Sequence, residues 1–281
     1  RLPPNERLIL FSPHPDDDVI SMGGILHKLV ENENEVVVAY MTSGNIAVFD
    51  HDVRRYVDFL ERMGEEGRLD PKKAGALANA VHEFFDRKRP GEVDIPEVQD
   101  IKRLIREAEA VSGLETVGLT RAASRFLNLP FYQTGKVRKD PVGPADVKIV
   151  RDLLEEVRPS LIFVAGDLSD PHGTHRMCKE AIDGALEHVK DKPEIWLYRG
   201  AWQEWAIHEA TWLVPLSQEE LRLKIQAIFK HQSQKDSAPF PGGYDEREFW
   251  QRVEARNKGT AAELDRFGLA EYYAMEAYVV L

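Results

Sequence analysis

Apolar and polar positions follow two rhythms along the chain. Residues 8–11, 36–41 and 160–165 are short, nearly unbroken apolar runs, the signature of strands buried on both faces. Between them apolar residues recur at helical spacing. Val19, Ile20, Met22, Ile25, Leu26, Leu29 and Val30 form one such stripe, and Met177, Cys178, Ala181, Ile182, Ala185 and Leu186 form another. Residues 98–110, 146–157, 221–231 and 249–266 have the same period. Further strands are predicted at 125–132, within the aromatic stretch 194–205, and at 278–281. This alternation predicts an α/β domain across residues 1–281, with a largely parallel sheet and helices on both faces. Residues 53–89 depart from it. They are charged, helix-compatible and interrupted by Gly64, Gly67 and Pro71, and they predict a helical insertion that caps a cleft or contacts another domain.

The polar residues that matter lie just past the ends of apolar runs, where ligands bind in parallel α/β sheets. Residues 12–24, SPHPDDDVISMGG, place His14, Asp16, Asp17 and Asp18 at a strand-to-helix junction. Helix capping accounts for one acid there. It leaves His14 and the surplus acids unexplained, and neighbouring carboxylates repel unless a cation is present. A second cluster, Pro171-His172-Gly173-Thr174-His175, follows the run at 160–165. His172 and His175 are three apart, so on a first helical turn they would share a face. If both strands lie in one sheet, the two clusters converge on one ion, and imidazole with carboxylate suits zinc. A third polar turn, Thr42-Ser43-Gly44-Asn45, ends the run at 36–41.

SPHPDDD with Gly23-Gly24, and the later His172-Gly173-Thr174-His175, resemble the motifs of the LmbE-like (PIG-L) family of zinc-dependent N-deacetylases. More specifically, PHPDDDVISMGG, MTSGNIAV, FLNLPFY, DPHGTH and LYRGAWQEW resemble the LmbE-like module fused behind a glucosamine-6-phosphate deaminase-like domain in some bacterial proteins. The resemblance spans nearly the whole chain. It implies a Rossmann-like fold and a Zn2+ ion held by His14, Asp17 and His175. It makes Asp16 the general base, and His172 the group that stabilises the oxyanion or protonates the leaving amine. Spacing alone equally allows Asp16 and His172 as ligands. The implied reaction removes acetyl from an N-acetylglucosamine-type sugar or conjugate, giving a free amine and acetate. A deaminase-like domain is the implied fusion partner. Asn45, Arg106 and Tyr132 are the implied substrate contacts, and for Arg106 a surface ion pair with Glu109 is the alternative. Lys224, Ala227, His231, Ser233 and Gln234 match a further family block, with His231 lining the cleft or serving structure. Asp18 departs from the family, which usually has Glu there.

Composition narrows the remaining classes. The 281 residues carry a formal charge of -11, which argues against nucleic acid or an anionic membrane as partner. No apolar run approaches a membrane span. The chain opens RLPPNERL, with no signal peptide and no Met, which reads as a cut or processed domain. Cys178 is the only cysteine, so a core thiol and a reducing, cytoplasmic setting are expected. Trp196, Trp202 and Trp205 are expected mainly in the core, Arg87-Lys88-Arg89 on a solvated face, and residues 238–244 in a Pro/Gly lid. Two rivals stand beside the deacetylase. A metal-dependent phosphoesterase would need more cations than Lys28, Arg176 and Lys179 near the motifs. The other is a non-catalytic metal- or sugar-binding module of a larger amino-sugar protein. A nucleotide-binding protein is disfavoured, because acids and not a glycine-rich turn follow the first strand.

Overall fold

The computed structural model describes residues 2–136, 138–170, 172–200, 203–235, 247–268 and 270–281. In chain order the elements are β1 (Arg7–Ser12), α1 (Asp17–Glu31), β2 (Glu35–Tyr40), α2 (Asp50–Glu65), α3 (Pro71–Arg87), α4 (Pro96–Thr116) and β3 (Ser124–Phe126). There follow α5 (Pro144–Val157), β4 (Leu161–Ala165), α6 (Thr174–Leu186), β5 (Glu194–Tyr198), β6 (Trp212–Leu216), α7 (Gln218–Ile228), α8 (Phe249–Arg266) and β7 (Ala274–Val280).

The strands form one sheet in the order β3-β2-β1-β4-β5-β7-β6. The first five run parallel, and β7 is antiparallel to both β5 and β6. Alternate residues of each strand face opposite layers. Leu8, Leu10, Val36, Val38 and Tyr40 join α1, α4, α7 and α8 in one apolar cluster. Ile9, Phe11, Val37 and Ala39 join α5 and α6 in the other. This two-sided burial is why these strands read as unbroken apolar runs.

The order reverses beside β1. The chain steps outward from β1 through β2 to β3, then returns to place β4 on the other side of β1. Leu8 pairs with Leu161 and Leu10 with Phe163, so β1 and β4 end side by side. The crevice outside the carboxyl ends of strands at such a switch point is where α/β sheets bind ligands. Both polar clusters open into it.

Three expectations need correction. The strand predicted at 125–132 shrinks to β3, because Asn128 takes a left-handed φ of 46° and Pro130 opens a 3-10 turn through Tyr132. Among the described residues of the stretch at 194–205, only Glu194–Tyr198 form a strand. Strand β6 was not predicted, since it contains Pro215, which has no N–H for a ladder; β6 lies at the sheet edge, where proline is tolerated. The insertion at 53–89 is the pair α2 and α3, which share a separate apolar cluster with the first half of α4. Lys88 is not simply solvated. It pairs with Asp50 and Asp94, and Lys102 of α4 pairs with the same two acids. Trp202 and the proposed lid at 238–244 lie outside the described residues. No helix among the described residues is long and apolar enough to cross a membrane.

Candidate metal centre

The loop after β1 delivers His14, the N-terminus of α1 delivers Asp17, and the first turn of α6 delivers His175. Each of the three offers one ligand atom, and these atoms lie within 4.8 Å of one another. Asp17 Oδ2 is the centre of the group. It accepts from the backbone N–H of His14 at 2.9 Å and lies 3.0 Å from His14 Nδ1 and 3.2 Å from His175 Nε2. The His14 and His175 rings are 5.3 Å apart between centroids.

His175 shows that a cation fits. Its Nδ1 faces the carbonyl of Asp167 at 3.1 Å, the outer hydrogen bond that fixes a metal-binding tautomer. Its Nε2 is buried and, although close to Asp17, makes no well-directed hydrogen bond. A buried nitrogen in that state is aimed at a guest. The electrostatics agree. Burial works to raise the Asp17 carboxyl, yet His175 and then His14 hold it well below the usual carboxylate range. Burial works to lower His175, and Asp17 overrides it, pushing the imidazolium up to about 9. A proton on His175 therefore stands where a dication would.

Asp16 and His172 do not join this group. Asp16 is the N-cap residue of α1 but makes no side-chain cap bond. Its Oδ1 accepts instead from Arg106 Nη2 at 3.0 Å, and both side chains are buried. Arg106 does not make the surface ion pair with Glu109 that the sequence offered as the alternative; it is buried and bonded to Asp16. Glu109, one turn along α4, accepts from the backbone N–H and hydroxyl of Ser233 at 2.7 and 2.6 Å. Helix α4 thus ties the acid of the first motif and the segment after α7 to one face. Gly44, at φ 61°, allows this approach, since a Cβ there would lie 3.0 Å from Arg106 Nε and 2.9 Å from Pro15.

His172 and His175 share no helical face. Gly173 takes a left-handed φ of 67° and caps α6, which starts at Thr174, so His172 sits exposed on the preceding turn. Burial of its ring, then Lys139 and His14, lower its pKa. Asn45 is buried in the turn after Gly44. Tyr132 is buried edge-on to His14, with ring centroids 6.4 Å apart. Asp18 points away from the three ligand candidates into the fold. Its Oδ2 accepts from the Tyr40 hydroxyl at 2.8 Å, and burial foremost raises its pKa to about 7. Cys178 is buried as expected.

Sequence reading missed Lys139, whose ammonium lies 5.4 Å over the Tyr132 ring and 3.5 Å from the His172 carbonyl. Neither motif contains it, and only the turn after β3 brings it near. Of the cations expected nearby, Lys28 and Lys179 pair with Glu220 and Asp183. Lys224 of the family block lies under α1, not in the cleft. It is fully buried and donates to Glu276, Asn257 and the Ser21 carbonyl at 2.6, 3.1 and 3.1 Å.

Residues 9–186 match the family described as PIG-L, GlcNAc-PI de-N-acetylase, and the chain belongs to that family. A glucosamine-6-phosphate deaminase-like protein of Bacteroides thetaiotaomicron is 50% identical over 289 positions, 98% of this chain and 42% of that protein. The chain thus spans less than half of that relative's length. Diacetylchitobiose deacetylase of Thermococcus kodakarensis is 33% identical over 89 residues, 30% of this chain and 32% of that enzyme. Among solved structures, GalB, the 4-carboxy-2-hydroxymuconate hydratase of Pseudomonas putida KT2440, matches with a TM-score of 0.61 at 14% identity, covering 98% of this chain and 95% of its own. Solved deacetylases share the fold at similarly low identity.

Proposed function

We propose that the chain hydrolyses the N-acetyl amide of an N-acetylglucosamine-type sugar or conjugate, with zinc held by His14, Asp17 and His175. The observation that carries this reading is the convergence of those three side chains beside a buried acid, Asp16, that is not one of them. Two imidazoles and a carboxylate suit zinc, and three protein ligands leave room for a reactant. When bound, the ion supplies a Lewis acid for the amide carbonyl and for water. Asp16 takes the proton that the attacking water sheds. Arg106 bonds to Oδ1 and fixes the carboxylate, so Oδ2 is the oxygen assigned to that proton. His172 faces the amide oxygen or the departing amine. With its pKa lowered, its N–H donates to the oxyanion, and the proton that Asp16 has taken passes to the amine nitrogen as the C–N bond breaks.

The relatives support the chemistry, since their descriptions name de-N-acetylation of GlcNAc-PI and deacetylation of diacetylchitobiose. A fused deaminase-like domain, which the sequence resemblance implies, would act on the amino sugar so released.

Zinc content and acetate release, measured side by side, test the reading. The purified chain should hold about one zinc, as three convergent ligands imply. His175→Ala should lose it. Asp16→Asn should keep it and lose turnover by about a hundred- to ten-thousand-fold. Full zinc occupancy in His175→Ala, or unchanged turnover in Asp16→Asn, would reverse the assignments. Zinc-loaded wild type that releases no acetate from any N-acetyl amino sugar would favour the non-catalytic binding module.

A further inference from the structure

Within residues 197–205, LYRGAWQEW, the side chains of Arg199 and Trp205 supply no ligand candidate, yet they lie against the segment that orients His175. Strands β4 and β5 pair as far as Ala165 and Tyr198, and the Gly166 N–H still donates to the Tyr198 carbonyl at 2.7 Å. The next two carbonyls after β4, those of Gly166 and Asp167, are met by side chains. Arg199 Nε donates to the Gly166 carbonyl at 3.2 Å, and His175 Nδ1 faces the Asp167 carbonyl at 3.1 Å. The buried Asp167 side chain is tied down as well. Its Oδ2 accepts from the backbone N–H of Gln203 at 2.8 Å, and its Oδ1 from the Ser169 hydroxyl at 3.3 Å.

Trp205 keeps Arg199 in place. The guanidinium carbon lies 3.6 Å from the centroid of the Trp205 ring, a close stack of the kind that suits a planar cation. Trp205 is anchored in turn. Its Nε1–H donates to the Leu197 carbonyl at 3.1 Å, and its ring packs on Gly166, where a Cβ would come within 2.7 Å of Cζ2. The contacts close on themselves: Arg199 bonds Gly166 and stacks on Trp205, and Trp205 packs on Gly166. Glu209 lies 3.9 Å from Arg199 Nη1 and is exposed, so this ion pair contributes little to holding the guanidinium.

We propose that Arg199 and Trp205 are positioning residues of the metal centre, whose stack clamps the turn after β4 and so fixes the Asp167 carbonyl against which His175 is oriented. The role rests on the proposed zinc site, and both residues act through His175 and not by contact with the ion. Outer partners of this kind hold a ligand histidine in its binding geometry, and losing them weakens metal binding while every ligand stays in the chain.

The test measures zinc affinity of the metal-free chain by competition with a chelator. It also records the visible bands of cobalt bound in place of zinc, which follow coordination geometry. His175→Ala is the reference, and heat unfolding of the metal-free variants checks that they fold. Arg199→Ala and Trp205→Leu should each bind zinc about ten- to a hundredfold more weakly and shift the cobalt bands, with the metal-free fold intact. Trp205→Phe keeps a ring against the guanidinium and should recover most of the loss. The double variant Arg199→Ala/Trp205→Leu should lose no more than the weaker-binding single variant, because either change opens the same stack. If Trp205→Leu does not fold, Arg199→Ala decides alone. Wild-type affinity and cobalt bands in folded Arg199→Ala, with zinc lost in His175→Ala, would overturn the clamp and leave the metal centre standing. Losses that add in the double variant would also overturn it, since the two residues would then act separately. An affinity in His175→Ala equal to that of wild type would overturn the zinc site and the clamp with it.

Discussion

At the level of single residues, the competition between proton and cation at His175 gives a direct expectation. Asp17 raises the His175 pKa to about 9. Below that value the metal-free site keeps a proton that the ion must expel, so binding is linked to pH. Zinc affinity should rise by roughly tenfold per pH unit on approach to pH 9 and level off beyond it. A competition titration against a chelator of known pH dependence, from pH 6 to 9.5, measures this. Flat affinity between pH 6.5 and 8.5 would show that His175 carries no such proton. Three of the convergent residues were readable in the sequence because their types and places, just past apolar strands, reflect a local requirement. The separation of His172 from His175 was not, since it depends on the positive φ of Gly173, which spacing does not reveal. The partner of Asp16 was hidden as well, because Arg106 is ninety residues away and only packing of α4 on α1 brings them together. Asp18, short of the usual glutamate, is met by a hydroxyl reaching from the end of β2.

The placement of α1 as an element depends on a buried ion pair. Glu276 of β7 accepts from the backbone N–H groups of Gly24 and Ile25 at 3.0 and 2.9 Å, while Lys224 of α7 donates to Glu276 and to the Ser21 carbonyl. The pair therefore holds the second turn of the helix whose first turn carries Asp17. The Gly23-Gly24 of the motif permits this contact. A Cβ at position 23 would lie 2.7 Å from Lys224 Cγ, and one at 24 would lie 2.5 Å from Leu216. Lys224→Met would strand the Glu276 carboxylate, and breaking such a pair costs about 3–5 kcal/mol. Lys224→Met/Glu276→Gln removes the charge from both sides and should recover part of that loss. Urea unfolding of the two single variants and the double variant closes the cycle, and purely additive effects would mean the pair is not coupled. Parallel strands and long helices were predictable from periodicity alone. The edge strand β6 was missed because it is short and holds a proline, and β7, which lies between β5 and β6, was anticipated only at its end because the buried Glu276 interrupts its apolar run.

For the molecule as a whole, the fold leaves the chemistry open, since a hydratase and deacetylases share it at low identity. In this chain the insertion connects to the site through α4. Helices α2 and α3 bury Val53, Val57, Ala78, Val81 and Phe84 against Val98, Ile101 and Ile105 of α4. The second half of α4 instead gives Ala110 and Leu114 to the core of the sheet. Arg106 lies at the seam between the two clusters and carries the bond to Asp16. Loosening the insertion should then disturb the placement of Asp16 without touching the three ligand candidates, which come from the loop after β1, from α1 and from α6. Phe84→Ala opens a cavity in the insertion, a change that typically costs about 3–5 kcal/mol. The variant should keep its zinc, lose turnover by an order of magnitude or so through kcat, and show faster hydrogen exchange in α2, α3 and the first half of α4 than in the sheet. Exchange that quickens in the insertion with turnover unchanged would show that the insertion is energetically separate from the site. Loss of zinc in step with turnover would show that the whole domain unfolds as one unit, and that α4 does not divide it.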